Sequence, residues 1–271
     1  MESDRGIQSP RLVASDLDGT LLRSDGKLSA RTVEAVRACE SAGIAVVLAT
    51  GRPPRWVHAI GDELGHDGVA VCANGALVYD LAARTVLRSH LLEPAVGAEI
   101  VHRLRHAFPG ALFAVETVEH LGLEPGWETA WTPPPGTRFA DALELVEVPM
   151  VKLLARVDGH DVEAALDRLG RELAGLAEVT WSGGKHLLEL SAPGITKGVT
   201  LAEVAAGLGI AAAEAVAFGD MPNDLDMLRW AGRGLAVANA HEVVRAAADG
   251  VIGANDDDGV AAELESLLAV R

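Results

Sequence analysis

Cysteine, lysine and aromatic residues are all scarce in this chain of 271 residues. Its two cysteines, Cys39 and Cys72, sit in the apolar surroundings VRACESAG and VAVCANGA, so they read as small buried side chains. Two thiols so placed give neither a disulfide framework nor a thiolate metal cluster. Basic residues number 23 against 39 acidic ones, a net charge of −16. That balance argues against a general nucleic-acid-binding surface, whose affinity comes mostly from Lys and Arg on the phosphate backbone. It leaves room for an anionic small substrate, which needs only a local positive site. No run approaches the roughly 18 uncharged apolar residues of a spanning helix. The opening MESDRGIQSPR has no apolar core of a signal peptide, and no fixed-period repeat is visible. A cytoplasmic protein with no membrane or nucleic-acid partner is the expectation; oligomeric state is not legible.

What is present is an ordinary globular balance, 49% hydrophobic and 23% charged, in a length that suits one large domain or two modest ones. The apolar run Leu12–Ala14 ends at Asp16-Leu-Asp-Gly-Thr. Ser29 then reads as the N-cap of a helix running to about Ser41, stopped by Gly43. A continuous apolar run, Ile44 to Ala49, breaks at Thr50-Gly-Arg-Pro-Pro. A helix over 54–64, a strand over 68–72 and the turn Asn74-Gly75 follow. Continuous apolar runs between helices predict strands covered on both faces, as in a parallel α/β sheet.

The middle of the chain changes character. A hairpin over 77–88, helices over 93–108 and 161–173, alternating strands over 111–118 and 148–157, and a strand pair over 178–182 and 186–191 predict an inserted α+β unit. A Pro/Gly/Trp-rich loop occupies 124–136, and the last strand pair turns at Ser182-Gly-Gly-Lys185. The α/β rhythm resumes with helix 197–208, strand 215–218, a helix from Asp224, strand 234–237 and helices over 241–248 and 259–269.

Asp16 and Asp18 lie two apart just after an apolar strand, so their side chains can project towards the same side at its carboxyl end, where open α/β sheets bind ligands. Alone, the pair fits an acidic loop capping a helix equally well. Gly219-Asp220-Met-Pro-Asn223-Asp224 follows another apolar strand, and Asn223 or Asp224 would serve as a simple helix cap. Two acidic clusters at equivalent strand ends are harder to dismiss. Converging carboxylates repel and raise one another's pKa unless a hard cation such as Mg²⁺ joins them; the spacing of an EF-hand is absent. Thr50 and Gly51 offer a hydroxyl and approachable backbone N–H groups for phosphate. Lys197 opens a helix, where positive charge opposes the helix dipole. A solvated lysine is the plain reading, but with four lysines in the chain this one stands out. Arg52 either touches phosphate or pairs with an acidic neighbour. His120, Trp127 and Trp131 either line a leaving-group pocket or pack the inserted unit's own core.

In order along the chain, Asp16-Leu-Asp-Gly-Thr-Leu-Leu, Thr50-Gly-Arg, Lys197-Gly198 and Gly219-Asp220-x-x-Asn223-Asp224-x-x-Met227-Leu228 resemble the four motifs of the haloacid dehalogenase superfamily. Asn74-Gly75-Ala76 and Val237-Ala-Asn239-Ala are similar to its Cof-type branch of sugar-phosphate phosphatases. The resemblance spans residues 11–269 and implies a Rossmann-like α/β core with a mainly parallel sheet, residues 1–83 and 192–271. An inserted α+β (C2B-like) cap over 84–191 would set substrate specificity.

It further implies a Mg²⁺-dependent phosphatase of a small phosphorylated metabolite, a sugar phosphate or phosphorylated cofactor, working through an aspartyl-phosphate. By resemblance, Asp16 is the nucleophile and Asp18 the acid and base. Asp16, the backbone carbonyl of Asp18 and Asp220 would hold the metal, with Asp224 behind them or as a further ligand. Thr50, Gly51, Lys197 and the amide of Asn223 would hold the phosphoryl oxygens. A phosphosugar mutase and a non-catalytic phosphometabolite-binding regulator are the competing readings; the presence of both Asp16 and Asp18 speaks against the second. A dinucleotide-binding dehydrogenase is disfavoured, because the first strand leads to D-L-D-G-T and not to G-x-G-x-x-G.

Overall fold

The structure is a computed structural model that describes residues 10–183 and 186–269. Residues 1–9 and 270–271, and Gly184-Lys185 of the expected strand turn, lie outside the described residues. Strands β1 (Leu12–Ser15), β2 (Ala45–Ala49), β3 (Val69–Cys72), β4 (Leu77–Asp80) and β5 (Thr85–Ser89) come first, with helices α1 (Ala30–Ser41) and α2 (His58–Leu64) between them. There follow α3 (Pro94–Ala107), β6 (Leu112–Glu116), β7 (Leu121–Leu123), β8 (Arg138–Phe139), α4 (Ala142–Leu145), β9 (Lys152–Arg156), α5 (Val162–Glu172), β10 (Glu178–Thr180) and β11 (Leu187–Ser191). The chain then runs through α6 (Lys197–Gly207), β12 (Ala215–Gly219), α7 (Leu225–Trp230), β13 (Arg233–Val237), α8 (Glu242–Ala247), β14 (Gly250–Ile252) and α9 (Gly259–Ala269). Two compact units result: the stretch up to Leu87 together with that from Lys197, and Arg88–Thr196 between them. The boundaries read from sequence, 84 and 191, fall just before β5 and at the last residue of β11.

The first unit is built on a sheet ordered β14-β13-β12-β1-β2-β3-β4-β5. It is parallel from β14 to β3, and β4 turns back antiparallel on β3. β1 and β12 are buried along their whole length, the expected state of apolar runs covered on both faces. Leu12 pairs with both Ala45 and Ala215, so β1, β2 and β12 run in register and their carboxyl ends stand side by side. This is the crevice where an open α/β sheet places its ligands. α1 starts where the Ser29 hydroxyl accepts the Thr32 N–H at 3.0 Å. α6 and α7 approach backbone to backbone: a Cβ at Gly198 would lie 2.5 Å from the carbonyl carbon of Asp226. Gly198 therefore sets the seat of α6, and with it the height of Lys197.

The second unit has a sheet ordered β10-β11-β9-β6-β7-β8. Alternation along its strands sends Phe113, Val115, Leu153, Ala155, Leu188 and Leu190 to one face, where they share a core with α3, α4 and α5. On the other face Ala114, Leu121 and Leu123 form a small cluster with Trp127 and Leu154 against it.

Several expectations change in detail. The helix expected over 54–64 is a 3₁₀ turn, Pro54–Trp56, followed by α2 from His58. Pro53 and Pro54 fix φ and lack N–H groups, which tightens the entry. The short elements β7, β8, α4 and β14 were not expected, since two to four residues hold too little periodicity to read. The strand expected over 148–157 is shorter at its start, where Met150 instead exchanges backbone hydrogen bonds with Leu92 at 2.8 and 3.1 Å. No helix among the described residues is long and apolar enough to cross a membrane.

Gly198→Ala should destabilise the protein by about 1–3 kcal/mol in denaturant unfolding, because α6 cannot yield to a backbone contact without moving. Gly207→Ala, in the same helix with open space around it, should be neutral or stabilise by up to about 1 kcal/mol. Equal effects of the two would contradict the close α6–α7 seat.

Candidate active site

The centre of the first unit's crevice is a buried ammonium. Lys197, the first residue of α6, donates to Asp16 Oδ1 at 2.6 Å and to Asp224 Oδ1 at 2.7 Å. Its side chain is 1% exposed and that of Asp224 0%, so neither charge shares itself with solvent. Asp16 arrives from the end of β1, where its N–H donates to the Phe218 carbonyl of β12 at 3.0 Å. Asp224 folds back under the loop after β12, and its Oδ2 accepts the N–H groups of Asp220 and Met221 at 3.0 Å each. Both of its oxygens are thereby engaged. Asp220 Oδ1 accepts the Thr20 hydroxyl at 2.9 Å. Gly19 lies against the same carboxylate: its φ is +79°, and a Cβ there would lie 2.4 Å from Asp220 Oδ2.

Carboxylate oxygens of Asp16, Asp220 and Asp224 lie within 4.8 Å of one another, and all three residues are buried. Three carboxylates against one ammonium leave the cluster negative. Burial pushes the Asp16 carboxyl well above the usual range; Lys197 opposes the shift, and Asp224 and Asp220 add to it. Burial, followed by the charge of Asp224, pushes Asp220 up to about 7. Burial would lower the Lys197 pKa, but Asp16 and Asp224 outweigh it and hold the ammonium firmly charged. An all-oxygen, over-acidic, buried donor set fits a small hard divalent cation such as Mg²⁺.

The remaining sequence candidates divide between the two units. Thr50 is fully buried just after β2, with its Oγ1 accepting the Arg52 N–H at 3.0 Å; Gly51, half-buried, lies between them. Asn223 lies beside Asp224, and its Nδ2 donates to Asn74 Oδ1 at 3.1 Å. Asp18 does not join the carboxylate cluster, although the two-residue spacing suggested that its side chain would share a side with Asp16. It turns outward to Arg52, whose Nε and Nη2 reach its two oxygens at 2.7 and 2.5 Å. Of the two readings of Arg52, pairing with an acidic neighbour is the one in the structure. This bidentate bond, after offsetting partial burial, holds the guanidinium pKa up.

The other three candidates belong to the second unit. His120 is exposed on the turn between β6 and β7, with Glu119 3.6 Å from its Nε2. Trp127 packs on the small sheet-face cluster under the Arg156 guanidinium, 4.5 Å from its ring centroid. Trp131 is partly exposed, and its carbonyl accepts the Thr129 hydroxyl at 2.6 Å.

Among the polar braces of the site, the sequence offered Asn239 within a motif but gave it no role, and Asn255 and Thr200 were not singled out. Asn255 donates through its side chain to the Leu22 carbonyl at 2.9 Å, and Asn239 to that of Gly19 at 2.8 Å, so both hold the loop after β1. Thr200 on α6 donates to the Gly75 carbonyl at 2.8 Å. Such residues carry no local signal, because their partners are distant in the chain.

A family described as haloacid dehalogenase-like hydrolase matches residues 13–264. The pyridoxal phosphate phosphatase YbhA of Escherichia coli is 30% identical, over 93% of this chain and 96% of its own length. A Bacillus subtilis relative, the 5-amino-6-(5-phospho-D-ribitylamino)uracil phosphatase YwtE, is 29% identical over 95% or more of both chains. Among solved structures, BT1666 of Bacteroides thetaiotaomicron, described among phosphatases of the same superfamily, superposes with a TM-score of 0.81 at 25% identity, over 99% of this chain and 98% of its own. The matched length and the site just described agree: this chain belongs to the haloacid dehalogenase-like hydrolase family, in its Cof-type branch.

Proposed function

We propose that this chain is a Mg²⁺-dependent phosphatase that hydrolyses a small phosphorylated metabolite, a sugar phosphate or phosphorylated cofactor, through an aspartyl-phosphate on Asp16. The observation that carries this reading is the buried Lys197 ammonium spanning Asp16 and Asp224. Its charge opposes the rise that burial imposes on the Asp16 carboxyl and so favours the carboxylate form, which is what a nucleophile needs. Relatives named as phosphatases of pyridoxal phosphate and of a phosphoribitylamino-uracil support the substrate class.

In the first step Asp16 attacks phosphorus, and the bond to the leaving oxygen breaks as Asp18 gives that oxygen a proton. In the second, water attacks the same phosphorus and passes its proton to Asp18. The bond to Asp16 then breaks, and inorganic phosphate departs. Lys197, Thr50, the Gly51 backbone and the Asn223 amide donate to phosphoryl oxygens, where charge accumulates. Asp18 has to part from Arg52 before it carries a proton, since the bidentate pair requires its carboxylate. Asp16, Asp220 and the backbone carbonyl of Asp18 would hold Mg²⁺, with Asp224 bracing them from behind; when bound, the ion supplies positive charge against the phosphoryl oxygens. The unit Arg88–Thr196 would act as the specificity cap.

Asp16→Asn should lower kcat for p-nitrophenyl phosphate by about a thousandfold or more, measured at saturating Mg²⁺. Retention of most activity would sink the nucleophile assignment. Release of inorganic phosphate from sugar phosphates, with no isomerised product, separates hydrolysis from mutase chemistry.

Mg²⁺ at about 100 times its Kd should stabilise the folded chain by about 2.7 kcal/mol, seen as a rise in Tm that a chelator reverses. Asp220→Asn, whose side-chain oxygen can still accept from Thr20, should abolish that rise. A rise that survives the substitution would place the ion elsewhere.

A further inference from the structure

One buried turn connects three of the groups assigned to phosphate. Ala73–Gly75 follows β3, and within it Asn74 has φ 56° and ψ 30°, a left-handed conformation, at 2% exposure. The Cβ of a non-glycine residue disfavours this conformation, and asparagine tolerates it better than most. The turn reaches in three directions. The N–H groups of Asn74 and Ala73 donate to the carbonyls of Thr50 and Arg52, both at 3.0 Å. The Gly75 carbonyl accepts the Thr200 hydroxyl, three residues along α6 from Lys197. The Asn74 side-chain carbonyl accepts from Asn223 Nδ2 at 3.1 Å.

The last bond differs from the others, because it goes to a side chain that can face either way. A carboxamide presents two N–H donors at one end and a carbonyl acceptor at the other, and a half-turn about its last torsion exchanges them. Phosphoryl oxygens are acceptors, so only the nitrogen end attracts them. Asn223 Oδ1 is buried and accepts no hydrogen bond among the described residues, so nothing at that end fixes the orientation. The Asn74 carbonyl does. It takes one hydrogen of Asn223 Nδ2 and leaves the other for a ligand.

We propose that Asn74 is a positioning residue for phosphoryl transfer: its side-chain carbonyl holds the Asn223 amide nitrogen, rather than its oxygen, toward the phosphoryl group. This rests on the reading of Asn223 as a phosphate donor. The backbone of the turn fixes Thr50 and α6 independently of which side chain stands at 74. The Asn74 side-chain carbonyl therefore acts through Asn223, while the turn's backbone bonds to Thr50, Arg52 and Thr200 do not use it.

The test is a double-mutant cycle in kcat/KM for p-nitrophenyl phosphate, with Ki for inorganic phosphate as a second readout. Asn74→Gly removes the side chain without straining the left-handed backbone. It should lower kcat/KM about five- to tenfold in the native background and less than twofold in the Asn223→Ala background, the scale of one hydrogen bond. Ki should rise in parallel. Asn74→Asp keeps an accepting oxygen and suits the same backbone. With it in place, Asn223→Ala should cost as much as it does in the native protein, whatever Asn74→Gly does to folding. Equal losses from Asn74→Gly in both backgrounds would overturn the proposal and leave Asn74 a structural residue. An Asn223→Ala variant with unchanged kcat/KM and Ki would instead overturn the phosphate role of Asn223, and the proposal with it.

Discussion

The Lys197 ammonium, buried between Asp16 and Asp224, is the constraint around which the first unit is arranged. A lysine at the first position of a helix and out of reach of water is stable only if carboxylates meet it closely. Removing one partner of such a buried pair typically costs 3–5 kcal/mol, about the scale of a small domain's whole stability margin. Asp16 and Asp224 come from different strand ends, so the contact requires β1 and β12 in register and α6 seated hard on α7. Parallel pairing of Ser15 with Phe218 meets the first requirement, and the absence of a Cβ at Gly198 the second.

That arrangement stores an imbalance as well as a bond. One ammonium offsets only part of three buried carboxylates; burial first, and their mutual repulsion after it, push Asp16 and Asp220 up. A site in this state favours added positive charge and can then hold an anion. On the proposed reading, this is how a chain with a net charge of −16 would bind phosphate. The pairing of Asp18 with Arg52, outside the cluster, keeps the two aspartates of one short motif in different environments, as the two roles proposed for them would require.

The motifs of this site and the parallel α/β character around it were legible in the sequence because their signals are local. Asp16-Leu-Asp-Gly-Thr and Gly219-Asp220 each close an apolar run, and continuous apolar runs separated by helices announce a parallel sheet. Lys197 was legible for its rarity and its uncomfortable place at a helix start; its two partners were not. The orientation of Asp18 depended on Arg52, thirty-four residues away, and no spacing rule encodes it. Asn255 and Thr200 were invisible for the same reason, since each braces a carbonyl brought near only by the fold. Elements such as β8 and α4 were lost because tertiary packing, rather than periodicity, makes them. In the inserted unit Trp127 stacks with Arg156, a pairing that composition alone could not separate from a ligand-lining role.

The proposed mechanism bonds phosphorus to Asp16 during turnover. Rapid mixing of Asp18→Asn with p-nitrophenyl phosphate tests it most directly, because nitrophenolate leaves without a proton donor while breakdown of the intermediate still needs Asp18. A burst approaching one nitrophenolate per active site is expected, with phosphorus recovered after acid quench on the peptide that carries Asp16. A linear time course with no phosphorus on that peptide would contradict it.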